Sequence, residues 1–185
     1  KSLPDTEITV YGPPPTSGTR DAFVELAMHE GCEELDYFKE HEDQVKEKCT
    51  PMRQDGPFIE AGENDNLIVQ RIEADPNAVG IFGYSFLYEN QDKLNGVKVG
   101  GTEPGFETIA DGSYGLSRPL FIYIKNPHRK VIAGMDEFMT EYVSEESMGE
   151  DGYLHERGLV VLPEDKLKEM QDRATNGLKM EAPTS

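Results

Sequence analysis

Short apolar runs alternate with helical stripes along the whole chain. Ile8-Thr9-Val10-Tyr11 reads as a first strand, closed off by Pro13-Pro14-Pro15. From Thr19 to about Glu30, the positions Ala22, Phe23, Leu26 and Ala27 form one apolar stripe, which predicts a helix with Ser17 or Thr19 as N-cap and Gly31 as its stop. Residues 33–50 are charged and predict a surface excursion with helix near 41–48, and residues 52–62 predict a loop. Asp65 caps a predicted helix carrying Leu67, Ile68 and Ile72, which ends before Pro76. Residues 78–84 are a short buried-strand pattern punctuated by glycine, and one or two helical turns follow at 85–89. Further on come a weak strand at 97–101, a short helix at 106–110, and the clearest apolar run, Arg118-Pro119-Leu120-Phe121-Ile122-Tyr123-Ile124-Lys125, expected as a strand buried on both faces. An amphipathic helix is predicted at 132–143, a short apolar run at 159–162, and a last helix from Glu164 to about Ala174 opened by Pro163 at its first position. The end of the chain, 176–185, is expected to be disordered.

This alternation, with 18 glycines and 12 prolines in 185 residues, predicts an α/β fold rather than a helical bundle. The length suits one domain or two small lobes. Mean hydropathy of −0.61 fits a soluble protein, and no apolar run approaches the ~20 residues of a membrane span. No signal peptide pattern is present, so an exported protein would be met here in mature or trimmed form. The formal net charge is −18, with 36 acidic against 18 basic residues, which excludes nucleic acid as the expected partner. It does not exclude a small anion, because exposed carboxylates are screened beyond about 8 Å while amides and hydroxyls act at contact distance.

The stretch that changes this picture most is Ser17-Gly18-Thr19-Arg20, where a helix opens directly after the prolines. A helix start carries unpaired N–H groups and the positive end of the macrodipole. Two hydroxyls and one guanidinium share the turn, and Gly18 has no side chain to keep a ligand from the backbone. The arrangement points to a tetrahedral oxyanion, phosphate first among them. The plain alternative is a helix cap at Ser17 and Thr19, with Arg20 paired to Asp21, Glu25 or another surface carboxylate. Asn64 and Asp65 read as a turn and cap, and Tyr11 and Tyr84 as core packing beside a possible cleft lining. Arg118 stands either near a hinge or in a surface ion pair. His29, His41, His128 and His155 are scattered without metal spacing, so neither metal nor cofactor is expected. Cys32 and Cys49 are compatible either with a disulfide closing a loop of about 15 residues, worth about 3 kcal/mol, or with two buried thiols.

Taken together, Ser17-Gly18-Thr19-Arg20 with Ala22-Phe23, the stretch Ala78-Val79-Gly80-Ile81-Phe82-Gly83-Tyr84, the run Arg118–Tyr123 and the region from Asp136 to Pro163 resemble, in order, the phosphate-binding proteins of ABC transporters. The resemblance covers about residues 8–175. It implies a two-lobed periplasmic-binding-protein α/β fold, a mixed sheet flanked by helices, with ligand held in the cleft between lobes. It implies a complete second lobe over 8–118, and a return at 119–175 into a first lobe that is only partial here. By the same resemblance the ligand is inorganic phosphate, held by Ser17, Gly18, Thr19 and Arg20. The partner is a membrane permease, the protein is exported, and Cys32 and Cys49 are paired. Family segments that normally precede the Ser-Gly-Thr turn have no counterpart, so either the sequence is a fragment or a second chain completes the first lobe. Many members carry arginine four residues before the turn's serine. That position is Pro13 here, and Arg20 is the expected substitute.

Two rival functions accompany this reading. One is a hydrolase or phosphatase with Ser17 as nucleophile, which needs a positioned base. The turn lacks G-x-S-x-G, and the P-loop pattern is absent. The other is a phosphate-sensing or adhesion protein that has lost transport.

Overall fold

A computed structural model describes residues 5–180. The chain divides into two compact units: one formed by the described residues up to Pro104 with Tyr114–Leu116, the other by Gly105–Ser113 and the described residues from Ser117 onward.

The first unit is an α/β unit built on three strands, β1 (Thr9–Gly12), β2 (Phe58–Glu60) and β3 (Ala78–Gly80), all parallel in the order β2-β1-β3. Val10 faces Phe58 on one side of β1, and Tyr11 faces Gly80 on the other. The ladder runs one residue past the strand ends, where Ala61 N–H donates to Gly12 O (3.0 Å) and Ile81 N–H to Tyr11 O (2.9 Å). Parallel strands need crossovers, and helices supply them. After β1 the chain is helical from Gly18 to Glu33 as α1 (Gly18–Phe23), a π-helical segment (Val24–His29) and α2 (Glu30–Glu33). Two short helices, α3 (Asp36–Lys39) and α4 (Val45–Cys49), then form the charged excursion. Cys32 and Cys49 are joined by a disulfide, so the excursion is tied at both ends, which settles the pairing against free thiols. Helix α5 (Asp65–Ala74) follows β2, and α6 (Tyr84–Glu89) follows β3.

Burial explains the placement of α5. Its Ile68 is fully buried and Val69 nearly so. A Cβ at Gly80 would lie 2.1 Å from Ile72 Cδ1 and 3.0 Å from Ile68 Cγ2. Glycine leaves room for these side chains where α5 lies on β3; a larger residue would require them to shift.

The second unit contains α7 (Phe106–Ala110), α8 (Met135–Tyr142), α9 (Glu145–Met148) and α10 (Glu164–Asn176). Met139, Val143 and Leu167 are its buried apolar residues, where α8 packs on α10. Gln171 Nε2 donates to Val143 O (2.8 Å), Asn126 Nδ2 to Gly177 O (2.6 Å), and Arg129 to Ala174 O. The first satisfies the carbonyl of the residue that caps α8, and the other two satisfy carbonyls at the end of α10, which Gly177 closes in the left-handed region.

Several expectations are corrected. Among the described residues the three paired strands are all parallel, and residues 118–125, expected as a buried strand, form no strand and are not buried: Leu120 is 82% exposed and Tyr123 71%. Apolar alternation makes a strand only where an edge pairs with it, and no described residue does so. The pattern at 78–84 is strand only to Gly80, and the weak strand at 97–101 is a single antiparallel bridge, Val99 to Thr102, around Gly100 and Gly101. The supposed loop at 52–62 contains β2. Asn64, not Asp65, caps α5, its Oδ1 accepting from Asn66 N–H (3.0 Å). Helix α8 begins at Met135 rather than Ile132, because Gly134 takes φ +81° before it. Pro163 is the N-cap of α10 rather than its first residue. The run 159–162 forms no regular element. Of the tail expected to be disordered, Asn176 ends α10 and Gly177 caps it, while 181–185 lie outside the described residues.

Two outcomes test this packing. Gly80→Ala should destabilise the chain by about 1–3 kcal/mol through overpacking against Ile72 and Ile68, read as a lower urea midpoint. Reducing the Cys32–Cys49 bridge, which closes a separation of 17 residues, should cost about 3 kcal/mol in the same measurement.

Candidate anion-binding site

Every parallel strand ends at the same side of the sheet, so the turns that follow β1, β2 and β3 all leave from that side. The order β2-β1-β3 places a topological switch point between β1 and β3, because the connections from β1 and from β2 run in opposite directions. The turn after β1 is the proline turn, and that after β3 is Ile81-Phe82-Gly83.

The proline turn is rigid. Pro13 is fully buried at the end of β1, and Ser17 N–H donates to Pro14 O (3.0 Å). Ser17 has extended backbone angles (φ −91°, ψ 128°), and its Oγ accepts from Thr19 N–H (3.2 Å). Ser17 O accepts from the N–H of Arg20 (3.0 Å) and Asp21 (3.3 Å). The first-turn amides of Thr19, Arg20 and Asp21 are therefore bonded within the turn. What remains for a ligand is chiefly hydroxyl chemistry: an Oγ that accepts one bond keeps its own proton to donate.

Arg20 is placed against β2. Its Nη1 donates to Glu60 Oε1 at 2.7 Å and lies 3.5 Å from Pro13 O, while its guanidinium carbon sits 5.4 Å from the centre of the Phe58 ring. The Arg20 side chain is 16% exposed and Glu60 50%. A second carboxylate from the same stretch, Glu63, accepts from the Thr16 hydroxyl. Sequence reasoning missed Phe58, Glu60 and Glu63 as neighbours of the turn, since it missed β2 itself. The pairing of Arg20 with a surface carboxylate was foreseen in kind but not in partner.

The turn after β3 is held by a carboxylate too. Gly83, which precedes α6, donates its N–H to Asp65 Oδ2 (3.3 Å). Burial raises the Asp65 carboxyl above the ordinary aspartate range, with the Gly83 bond working the other way. Tyr84 is likewise pushed up, first by burial and then by Tyr88. Of the other residues singled out by sequence, His29 lies 3.7 Å from Glu33, His41 stacks on Tyr37, and His155 packs against Phe106. Among the described residues no three His, Cys, Asp or Glu side chains gather as a metal site.

An open parallel α/β sheet, with its turns and helix starts gathered at the carboxyl ends of the strands, is the architecture of crevice-type ligand-binding domains. Residues 1–146 match the family model described as PBP superfamily domain, and the chain belongs to that superfamily. It is similar to phosphate-binding protein PstS of Staphylococcus saprophyticus, 32% identical over 175 residues that cover 92% of this chain and 46% of that protein. The corresponding protein of a Staphylococcus epidermidis strain is 32% identical over 198 residues, covering 100% of this chain and 52% of the relative. The chain thus spans about half the length of the curated relatives it matches. The crystal structure of PstS from Borrelia burgdorferi superposes with a TM-score of 0.53 at 24% identity, covering 86% of this chain and 55% of that one, a likeness of fold.

Two expected outcomes follow from the geometry. Ser17→Ala should cost about 1 kcal/mol of stability by removing the cap on Thr19 N–H, measurable by chemical denaturation. A carboxyl whose folded pKa is raised binds its proton more tightly folded than unfolded, so Asp65 favours the fold at low pH and loses that contribution as pH rises through its unfolded and then its folded value. A carbon-detected NMR titration should show Asp65 titrating above an ordinary aspartate, and Asp65→Asn should flatten the corresponding pH slope of stability.

Proposed function

We propose that the chain binds inorganic phosphate non-covalently through the Ser17-Gly18-Thr19-Arg20 turn, as part of a substrate-binding protein that delivers phosphate to the permease of an ABC transporter. The observation that carries the reading is the Ser17-capped turn at the carboxyl end of β1, next to the switch point, in a chain of the PBP superfamily. Relatives named phosphate-binding proteins support the choice of ligand. In this reading the Ser17 and Thr19 hydroxyls donate to phosphate oxygens, Gly18 gives the ligand close approach to the backbone, and Arg20 supplies a charge-assisted bond. A carboxylate that accepts the phosphate proton would reject sulfate.

The same proposal places the protein outside the cytoplasm, in keeping with the Cys32–Cys49 bridge. It also divides the chain at about residue 118, residues 8–118 forming the lobe that carries the turn and 119–175 returning towards a first lobe. The exposed run Leu120-Phe121-Ile122-Tyr123 supports that return, since four consecutive large apolar residues stand at 49–82% exposure without a strand partner among the described residues. A cleft between two lobes would enclose the ligand.

Turnover has little support. Among the described residues the partner of Ser17 Oγ is the Thr19 N–H, with no histidine bonded to it, whereas a nucleophilic serine needs a positioned base. The test is calorimetry of the chain with phosphate, sulfate and arsenate, beside Ser17→Ala and Thr19→Val. Phosphate should bind to the chain without turnover. Each variant should lose about 10- to 100-fold in affinity, the value of a hydrogen bond to a charged group. Hydrolysis of a phosphate ester abolished by Ser17→Ala would sink the binding reading.

A further inference from the structure

Glu60 and Glu63 approach the turn from one short stretch. Glu60 ends β2, and the next residue, Ala61, donates its N–H to Gly12 O at the end of β1 (3.0 Å). Gly62 reverses the chain at φ +87°, and Asn64 caps α5 immediately afterwards. The segment between is therefore anchored to β1 at one end and to a helix start at the other. From it, Glu60 takes Arg20 Nη1 at 2.7 Å and Glu63 takes the Thr16 hydroxyl. Both bonds have the chemistry a bound oxyanion would have: a carboxylate oxygen accepting from a guanidinium, and another accepting from a hydroxyl beside Ser17.

We propose that Glu60 is an affinity-setting residue of this site, an internal carboxylate that occupies Arg20 and must yield it before the guanidinium can serve a phosphate, with Glu63 acting in the same sense on Thr16. This rests on the phosphate reading above. The incoming anion competes with a carboxylate already in place, so it gains only the difference between two charge-assisted bonds. Glu60 is half exposed and can swing into water, whereas Arg20 is held by the Phe58 ring and Pro13 O and stays by the turn. The carboxylate is the movable member of the pair. The chain consequently binds phosphate less tightly than its donors would allow, and releases it more readily.

The experiment is calorimetry with inorganic phosphate on the whole chain and on Glu60→Gln, Glu63→Gln, Arg20→Gln and the Arg20→Gln/Glu60→Gln double variant. Glu150→Gln, which removes an equal charge from an exposed residue of the other unit, reports the effect of net charge alone. Glu60→Gln should tighten binding about tenfold, the worth of one charge-assisted bond released for the ligand. Glu63→Gln should tighten it less, since its partner is neutral. In the Arg20→Gln background the Glu60 gain should vanish, which a double-mutant cycle reads directly. Glu60→Asp, one methylene shorter, should shift affinity the same way by a smaller factor and serves if Glu60→Gln folds poorly. If the chain binds phosphate and Glu60→Gln leaves affinity unchanged, weakens it, or matches Glu150→Gln, the latch is overturned and the phosphate reading stands. If neither the chain nor Glu60→Gln nor Glu60→Asp binds phosphate at millimolar concentration, both are overturned.

Discussion

β1 is hydrogen-bonded along both edges, to β2 on one side and β3 on the other, and α5 packs over β3 at Gly80, where the absence of a side chain leaves room for Ile72 and Ile68. A side chain at that position would meet Ile72 and Ile68 before the helix reached the sheet. The buried Ile68 and Val69 mark how much apolar surface that approach removes from water. With α5 seated, the ends of β1 and β3 are held side by side, and the turns that leave them face a common edge. The site chemistry is therefore a consequence of helix-on-sheet packing, not of the turn residues acting alone.

That packing also decides what the turn's donors touch. A proline run fixes φ at each step and removes three N–H groups, so the backbone arrives at Ser17 with few conformations to choose from. The local amides then find acceptors in Ser17 itself. The first-turn amides are thereby taken up within the turn, leaving hydroxyls and a guanidinium as its other polar groups. The guanidinium in turn belongs as much to β2 as to α1, through Glu60 and Phe58. An acidic chain with a formal charge of −18 thus keeps its one cation in the turn neutralised by a carboxylate from the neighbouring strand.

The second unit shows the opposite balance. Its buried apolar residues are few, and its helix ends are tied by side chains: Arg129, Asn126 and Gln171 reach carbonyls at or near the ends of α8 and α10. The apolar residues of 120–123 remain in water instead. Membership of the PBP superfamily and a span of about half the curated relatives give that exposure its context.

By itself the sequence determined what is local. Ser17 caps a helix because its hydroxyl satisfies an orphan amide, and a cap at Ser17 or Thr19 was legible from residue types alone, as were α5, α7 and the last helix, though not the place of Pro163 as its N-cap. The α/β class was legible too, from alternating periodicities. The Cys32–Cys49 bridge was open on spacing alone, and its closure depends on where α2 and α4 come together. Tertiary structure alone decided the rest. β2 is three residues inside a loop-like stretch, and it is a strand only because β1 presents an edge to it. The run at 118–125 has the stronger strand pattern, yet forms none, because no described edge meets it. Glu60 and Glu63 became neighbours of the turn only through that pairing, since side chains 40 or more residues apart in sequence meet where the sheet brings them and carry no local signal. Strand pairing is a contract between two segments, and one segment's residues can state only half of it.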